Sequence, residues 1–484
     1  MAPMNQDLLK QMTELKLSQK IIRIITFMVI LSICFMLFIS VFKLKSHSSY
    51  ILPAFYKEKS QTVDVFFLGS SRVYNHVNPA VLYTDHGIAA FNLAAGRQPP
   101  WSSYHYLLEG LKTQTPKLVV LETSCMDLDK IKFISKKADI VDNTLNYKSS
   151  INKTKALLTI IPKDEFLKYF FAFYHYHGRY ASLAKQDFRP YMGEETYRYY
   201  KGFKPTYGIQ KFDKPDVANM VLCKAMPPES EEYYRKIIEL CQKKDISVLI
   251  MASPFTVNSD YMSLFNETER IAKEYNAPFI NFNHLYDEIG LDFQNDMVDR
   301  GHMRYTGSLK FSRFLGQYLQ ANYNLPDRRV DAKWNSWAEN AEYFWQEMAY
   351  LELRSINQWP EYLAHLKGND NYTMIISISG KCFQAYPEIK DILQSFGINK
   401  LEEGTWVVSN NGVELFDGQK TTSSYVRLGS FCFDLSTPGN VQLNGKSYGK
   451  VKDGLNIVVY NQRIDVIADN IGLDANKNLI ITRK

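Results

Sequence analysis

The stretch that most constrains this chain is Ile24 to Phe42, which carries no charged residue and is dominated by Ile, Phe, Met, Leu and Val. As a helix rising ~1.5 Å per residue, it just crosses a hydrocarbon core about 30 Å thick. A secretory signal also has a basic front and an apolar middle, but its apolar run is shorter and a small-residue cleavage site follows it. Here Lys43-Leu44-Lys45 follows instead, so the sequence predicts a retained single-pass anchor. Lys10, Lys16, Lys20 and Arg23 precede the span, and only Lys43 and Lys45 closely follow it. The positive-inside rule then places the short N-terminus in the cytoplasm and the large remainder outside the cell.

A chain of 484 residues exceeds what one hydrophobic core organises, so two or three domains are expected. The net charge of +6 is mild and the Lys and Arg residues are dispersed, without the dense basic stripe that nucleic-acid binding requires. Of the six cysteines, Cys34 lies in the span; Cys125, Cys223, Cys241, Cys382 and Cys432 show no CxxC and no regular spacing. Neither a metal site nor a disulfide framework is indicated. Cys382 and Cys432 either pair within the last domain or remain free thiols in apolar surroundings.

Beyond the span, Val63-Asp64-Val65-Phe66-Phe67-Leu68 is an apolar run broken only by Asp64, and it ends in Gly69-Ser70-Ser71-Arg72. Such a run is the pattern of a strand buried on both faces of a parallel sheet. Its abrupt end sets a small hydroxyl on a tight turn at the sheet's carboxyl edge, where open α/β sheets meet ligands. Strand-like segments recur at Phe91 to Gly96, Lys117 to Glu122, Ile246 to Met251 and Pro278 to Phe282. Helical spacing separates them, through Tyr104 to Leu111, up to Cys241, over Glu267 to Tyr275 and over Ser308 to Leu319. This alternation predicts an α/β domain with a parallel sheet and helices on both faces.

Between the last such strand and the last helix lies Asp299-Arg300-Gly301-His302. The one-turn spacing lets His302 aim its ring at Ser71 while Asp299 approaches the other ring nitrogen. That supplies a general base and its orienter for acyl transfer. The pair His175 and His177 has a spacing that suits a metal, but no third ligand accompanies it.

The strand-Gly-x-Ser block, Asn92 to Gly96, and Asp299-x-x-His302 together resemble the SGNH/GDSL esterase superfamily over roughly residues 60 to 325. Within it the chain is most similar to the membrane-anchored extracellular branch of Gram-positive bacteria. That branch includes the D-alanyl-transfer protein of teichoic acid synthesis and relatives that work beside membrane-bound O-acyltransferases. The resemblance implies an SGNH-type three-layer sandwich with Ser71, rather than Ser70, as nucleophile. It implies that His302 and Asp299 complete the triad and that the amides of Ser71 and Gly96 form the oxyanion hole. Arg72, Asn92 and Arg97 are the substrate contacts it suggests. The third-block Gly-x-Asn-Asp is absent, and Leu121-Glu122-Thr123-Ser124 stands in its place. Such chemistry needs no metal or organic cofactor.

The expected organisation is a cytoplasmic N-terminus (1–19), an anchor (20–43), a linker (44–60), the α/β domain (61–325) with an insertion at 127–228, a helical Trp-rich linker (326–370) and a β-rich α+β domain (371–484). The insertion is too long for an ordinary connection. Its aromatic and basic runs, Tyr169 to Tyr180 and Tyr197 to Phe203, form either a sugar-binding cap over the serine or a hairpin packing its aromatics inward or against lipid. Trp334, Trp337, Trp345 and Trp359 are expected to be buried staples. Ser395-Phe396-Gly397 and Lys452 to Tyr460 resemble a PANDER-like (interleukin-like epithelial inducer) domain, which implies carbohydrate recognition by analogy.

The implied function is an outward-facing serine O-acyl transferase or esterase, with acetyl as the usual acyl group. Its substrate is an envelope or secreted polysaccharide, and a membrane-bound O-acyltransferase is its partner. The alternatives are D-alanyl transfer on teichoic acid and a non-catalytic glycan-binding scaffold.

Overall fold

A computed structural model describes residues 6–171, 173–188, 200–367, 369–380, 387–399, 403–409, 412–416, 425–437 and 440–483. The chain forms two compact units, Met1–Ala338 and Glu339–Lys484. The division falls inside the helix Asn335–Ser355, so the expected Trp-rich linker is shared between them.

The first unit opens with helix α1 (Gln6–Phe42), whose part Gln19–Phe42 is long and apolar enough to cross a membrane. The stretch expected as a linker, 44–60, contains a helix, α2 (His47–Phe55), capped by the Ser46 side chain, which accepts from the Ser49 N–H. Strands β1 (Val65–Gly69), β2 (Ala90–Ala94), β3 (Leu118–Glu122), β4 (Ser247–Ala252) and β5 (Phe279–Asn281) form one sheet in the order β2-β1-β3-β4-β5. All four pairings are parallel, with Val65 opposite Ala90 and Leu118.

Alternate residues of β1 feed opposite faces, as the two-residue period requires. Val65 and Phe67 join a core with Phe311 and Leu315 of the helix Tyr305–Asn322. Phe66 turns to the other side, where Phe55 of α2 meets it edge-on at 5.7 Å. The helix Pro100–Gly110 crosses so close there that a Cβ at Gly110 would sit 2.7 Å from the Phe66 ring. Helices therefore cover both faces, which is why β1 to β3 are buried along their whole length. Asp64, the break in the apolar run, is buried and held by two 2.8 Å hydrogen bonds from Arg328.

Trp334 and Trp337 are buried in this unit, their indole N–H groups donating to the carbonyls of Thr62 and Ala90. In the insertion, short helices pack Phe133, Leu157, Tyr169 and Tyr176 into a small core with Trp101, and Phe42 at the end of α1 packs against it. Tyr174 and Tyr180 stay exposed. His175 lies against the Tyr169 ring, and His177 bonds the Tyr174 carbonyl. Ala172 and 189–199, which include Tyr197 to Tyr199, lie outside the described residues.

The second unit is built on antiparallel pairing. A six-stranded sheet contains Tyr372–Ser379, Gly404–Ser409 and Gly454–Asn461, and a four-stranded sheet is centred on Phe431–Thr437. The helix Glu388–Ser395 contributes Ile389 and Leu393 to the core of the larger sheet. Cys432 is an exposed free thiol, not one in apolar surroundings; Cys382, the other cysteine of the two alternatives above, lies outside the described residues.

Candidate active site

The strand order reverses between β1 and β3, and in open α/β sheets ligands bind beyond the carboxyl ends of the strands at such a switch point. The chain leaves β1 there through Gly69, whose φ of +149° only glycine adopts readily. A Cβ at that position would lie 2.8 Å from Val73 and 3.0 Å from Glu122. This turn starts α3 (Ser71–His76) with Ser70 as its N-cap.

The two serines diverge. Ser70 is buried, its Oγ 2.7 Å from Ser124 Oγ. Ser71 is half-buried, and its Oγ lies 2.7 Å from Nε2 of His302. The opposite ring nitrogen, Nδ1, is 2.9 Å from both carboxylate oxygens of Asp299. Asp299 is fixed in turn by the Gly301 N–H at 2.7 Å. This geometry suits the tautomer in which Nδ1–H donates to Asp299 and Nε2 accepts the Ser71 hydroxyl. The loop is anchored behind His302 by Met303, which is fully buried and donates its N–H to His76.

Burial pushes the Asp299 carboxyl up, but the hydrogen bonds from His302 and the Gly301 N–H outweigh it and hold the group below the usual carboxylate range. Asp299 therefore stays anionic at neutral pH. Its side chain is 52% exposed, so solvent shares the work of stabilising that charge.

The other expected site residues are placed differently. Arg72 is buried against the Phe255 ring and lines a cleft beside the serine. Gly96 approaches the site, but its N–H donates to Ser48 Oγ at 2.9 Å and is not free for an oxyanion. Asn92 is fully buried and donates to the Val77 carbonyl at the end of α3, holding that helix on the sheet. Arg97 bonds Asp139 at 2.7 Å on the insertion. Arg72 thus faces the cleft, while Asn92 and Arg97 serve as braces.

Several neighbours were not singled out from the sequence. Tyr74, one helical turn beyond Ser71, hydrogen-bonds its side chain, and burial raises the phenol to about 12, so it remains a donor at neutral pH. The His47 ring lies 4.4 Å from the Tyr74 ring, making α2 part of the site wall. Beneath the turn, Ser124 and Ser253 both donate to Glu122, at 2.5 and 3.2 Å. The third-block positions therefore hold Ser70 rather than reaching an oxyanion. The i, i+3 spacing from Ser71 is the one signal that could have found Tyr74.

No family model matches this chain, and no curated protein matches it. Among solved structures, a Bacteroides fragilis protein described as a candidate acylhydrolase is similar over 56% of this chain and 94% of its own, at 12% identity and a TM-score of 0.28. Nothing about this chain's chemistry rests on a likeness at that level.

Proposed function

We propose that this chain is a membrane-anchored serine esterase or O-acyltransferase, acting outside the cell on an envelope or secreted polysaccharide with acetyl as its acyl group. The observation that carries the proposal is the Ser71–His302–Asp299 relay at the carboxyl end of β1. His302 takes the Ser71 proton as Oγ attacks the acyl carbonyl, and Asp299 stabilises the imidazolium that forms. The tetrahedral oxyanion meets the Ser71 N–H, which as the first N–H of α3 has no intrahelical acceptor. The leaving alcohol receives the proton from His302, and acyl-Ser71 remains. A glycan hydroxyl then attacks the acyl-serine, again deprotonated by His302; water in its place gives hydrolysis.

Only residues 43–46 separate α1 from α2, whose His47 lies against Tyr74. A span in α1 would therefore hold Ser71 near the bilayer, within reach of a membrane-bound acyl-delivering partner. A cationic D-alanyl group would call for carboxylates near the serine, whereas the cleft that begins at the adjoining Arg72 carries Arg72, Lys211 and Arg300 against a single unpaired carboxylate, Asp213, which favours a neutral acyl group.

The test uses the full chain in detergent with p-nitrophenyl acetate, comparing wild type with Ser71→Ala and His302→Ala. Acetate release that falls at least a hundredfold in both variants supports the proposal. Release that is absent from wild type, or unchanged in Ser71→Ala, contradicts it.

A further inference from the structure

The residue after the nucleophile is a buried cation that forms no ion pair among the described residues. Arg72 is 7% exposed. Its guanidinium stacks 3.4 Å above the Phe255 ring and 4.7 Å from that of Tyr261. Nε donates to the Gly301 carbonyl at 3.3 Å, while Nη1 is buried without any hydrogen-bond partner. Among the described residues Arg72 forms no ion pair. The buried acid that Arg72 acts on is Glu122, whose two oxygens accept from Ser124 and Ser253. Burial pushes that carboxyl up, against the opposing pull of Arg72 and the serine hydrogen bonds, and it makes no ion pair with Arg72. Burying an arginine in this way is costly unless a partner arrives, and aromatic stacking offsets only part of the cost.

Arg72 forms part of a cleft of about 740 Å³ that runs from Gly301 past Phe255 and Tyr261. On its rim Arg300 lies over the Phe212 ring at 5.4 Å. Neither Arg300 nor Lys211 has an ion pair among the described residues. Lys214 is neutralised by Asp287 at 2.6 Å, which leaves Asp213 as the one unpaired carboxylate lining the cleft. The cationic side chains lining the cleft therefore outnumber its unpaired carboxylate, and the aromatic walls of Phe212, Phe255 and Tyr261 lower the local dielectric around them.

We propose that this cleft binds an anionic group of the acyl acceptor, a carboxylate or a phosphodiester, on the guanidinium of Arg72. The planar fork of arginine matches both groups, with two parallel N–H donors. Because Arg72 adjoins Ser71, the sugar unit carrying the anion, or its neighbour, presents a hydroxyl to the acyl-serine. The proposal rests on the serine chemistry above for its meaning, but binding is measurable without it.

The experiment titrates full-length Ser71→Ala protein in detergent, which cannot turn over, with three oligomers of matched length by calorimetry. These are an oligogalacturonate, a glycerol-phosphate oligomer and a neutral galacto-oligosaccharide. One of the two anionic oligomers is expected to bind at least tenfold more tightly than the neutral one, and which it is identifies the source of the anion. Adding Arg72→Gln should abolish that preference. Adding Arg300→Gln, a change at an exposed position on the rim, should weaken it several-fold. Equal binding of all three, no binding of either anion, or a preference that survives both substitutions overturns the proposal. Failure of wild type to acylate Ser71 overturns the serine chemistry instead and leaves the titration unaffected.

Discussion

Ser70 and Ser71 are neighbours in sequence with opposite surroundings, and the difference is measurable. Ser70→Ala removes a buried hydrogen bond to Ser124 but leaves the His302 contact, so ester hydrolysis should fall by less than about tenfold, whereas Ser71→Ala abolishes it. Asp299→Asn removes the charge that orients His302 and should lower kcat by roughly a hundredfold or more, with KM for p-nitrophenyl acetate little changed. The half-exposed position of Asp299 lets water compensate in part, which argues for the lower end of the range seen for such relays. Ser71, Asp299 and His302 were legible because each sits in a short local pattern: a glycine turn ending an apolar run, and a carboxylate one turn before a histidine. Asn92 and Arg97 were legible only as polar residues near the site. Their true partners, the Val77 carbonyl and Asp139, come from separate segments that no local spacing announces.

Helix α2 was illegible for a physical reason. It has nine residues, with Pro53 inside it, so its local propensity is poor; burial of Ile51, Leu52 and Phe55 on the sheet holds it in place. It carries His47, whose ring burial lowers to about 3, with Lys204 adding to the effect and the Gly202 carbonyl opposing it. The unfolded chain takes up this proton near pH ~6.5 and the folded chain only near pH 3. Stability is therefore lost as pH falls through that window, at up to about 1.4 kcal/mol per pH unit from this residue. His76, lowered by burial in the same direction, adds to the slope. Replacing His47 by Phe should flatten, without removing, the fall in Tm between pH 7 and pH 4.5. In the same unit, Trp337 is 1% exposed with its indole bonded to the Ala90 carbonyl of β2. Trp337→Ala should cost about 3–5 kcal/mol by chemical denaturation.

Across the whole molecule, the alternation of apolar strands with amphipathic helices announced a parallel sheet, and short punctuated strands announced the antiparallel unit that follows. The strand order was not readable, because β3 and β4 pair across the whole insertion, and pairing at that separation leaves no local trace. The division at Ala338 was equally hidden, since a continuous helix runs through it. Every residue of the relay lies in the first unit. Ile457, fully buried in the core of the second, offers a test of independence: Ile457→Asp should remove the second unit's thermal transition in calorimetry and leave ester hydrolysis within about twofold. The central claim is that Ser71 carries the acyl group, and mass spectrometry of the acid-quenched enzyme after mixing with p-nitrophenyl acetate tests it most directly. An acetyl adduct on the peptide containing Ser71, absent from Ser71→Ala and present in Ser70→Ala, is the predicted result. An adduct confined to another residue, or turnover without any adduct that persists in Ser71→Ala, would contradict it.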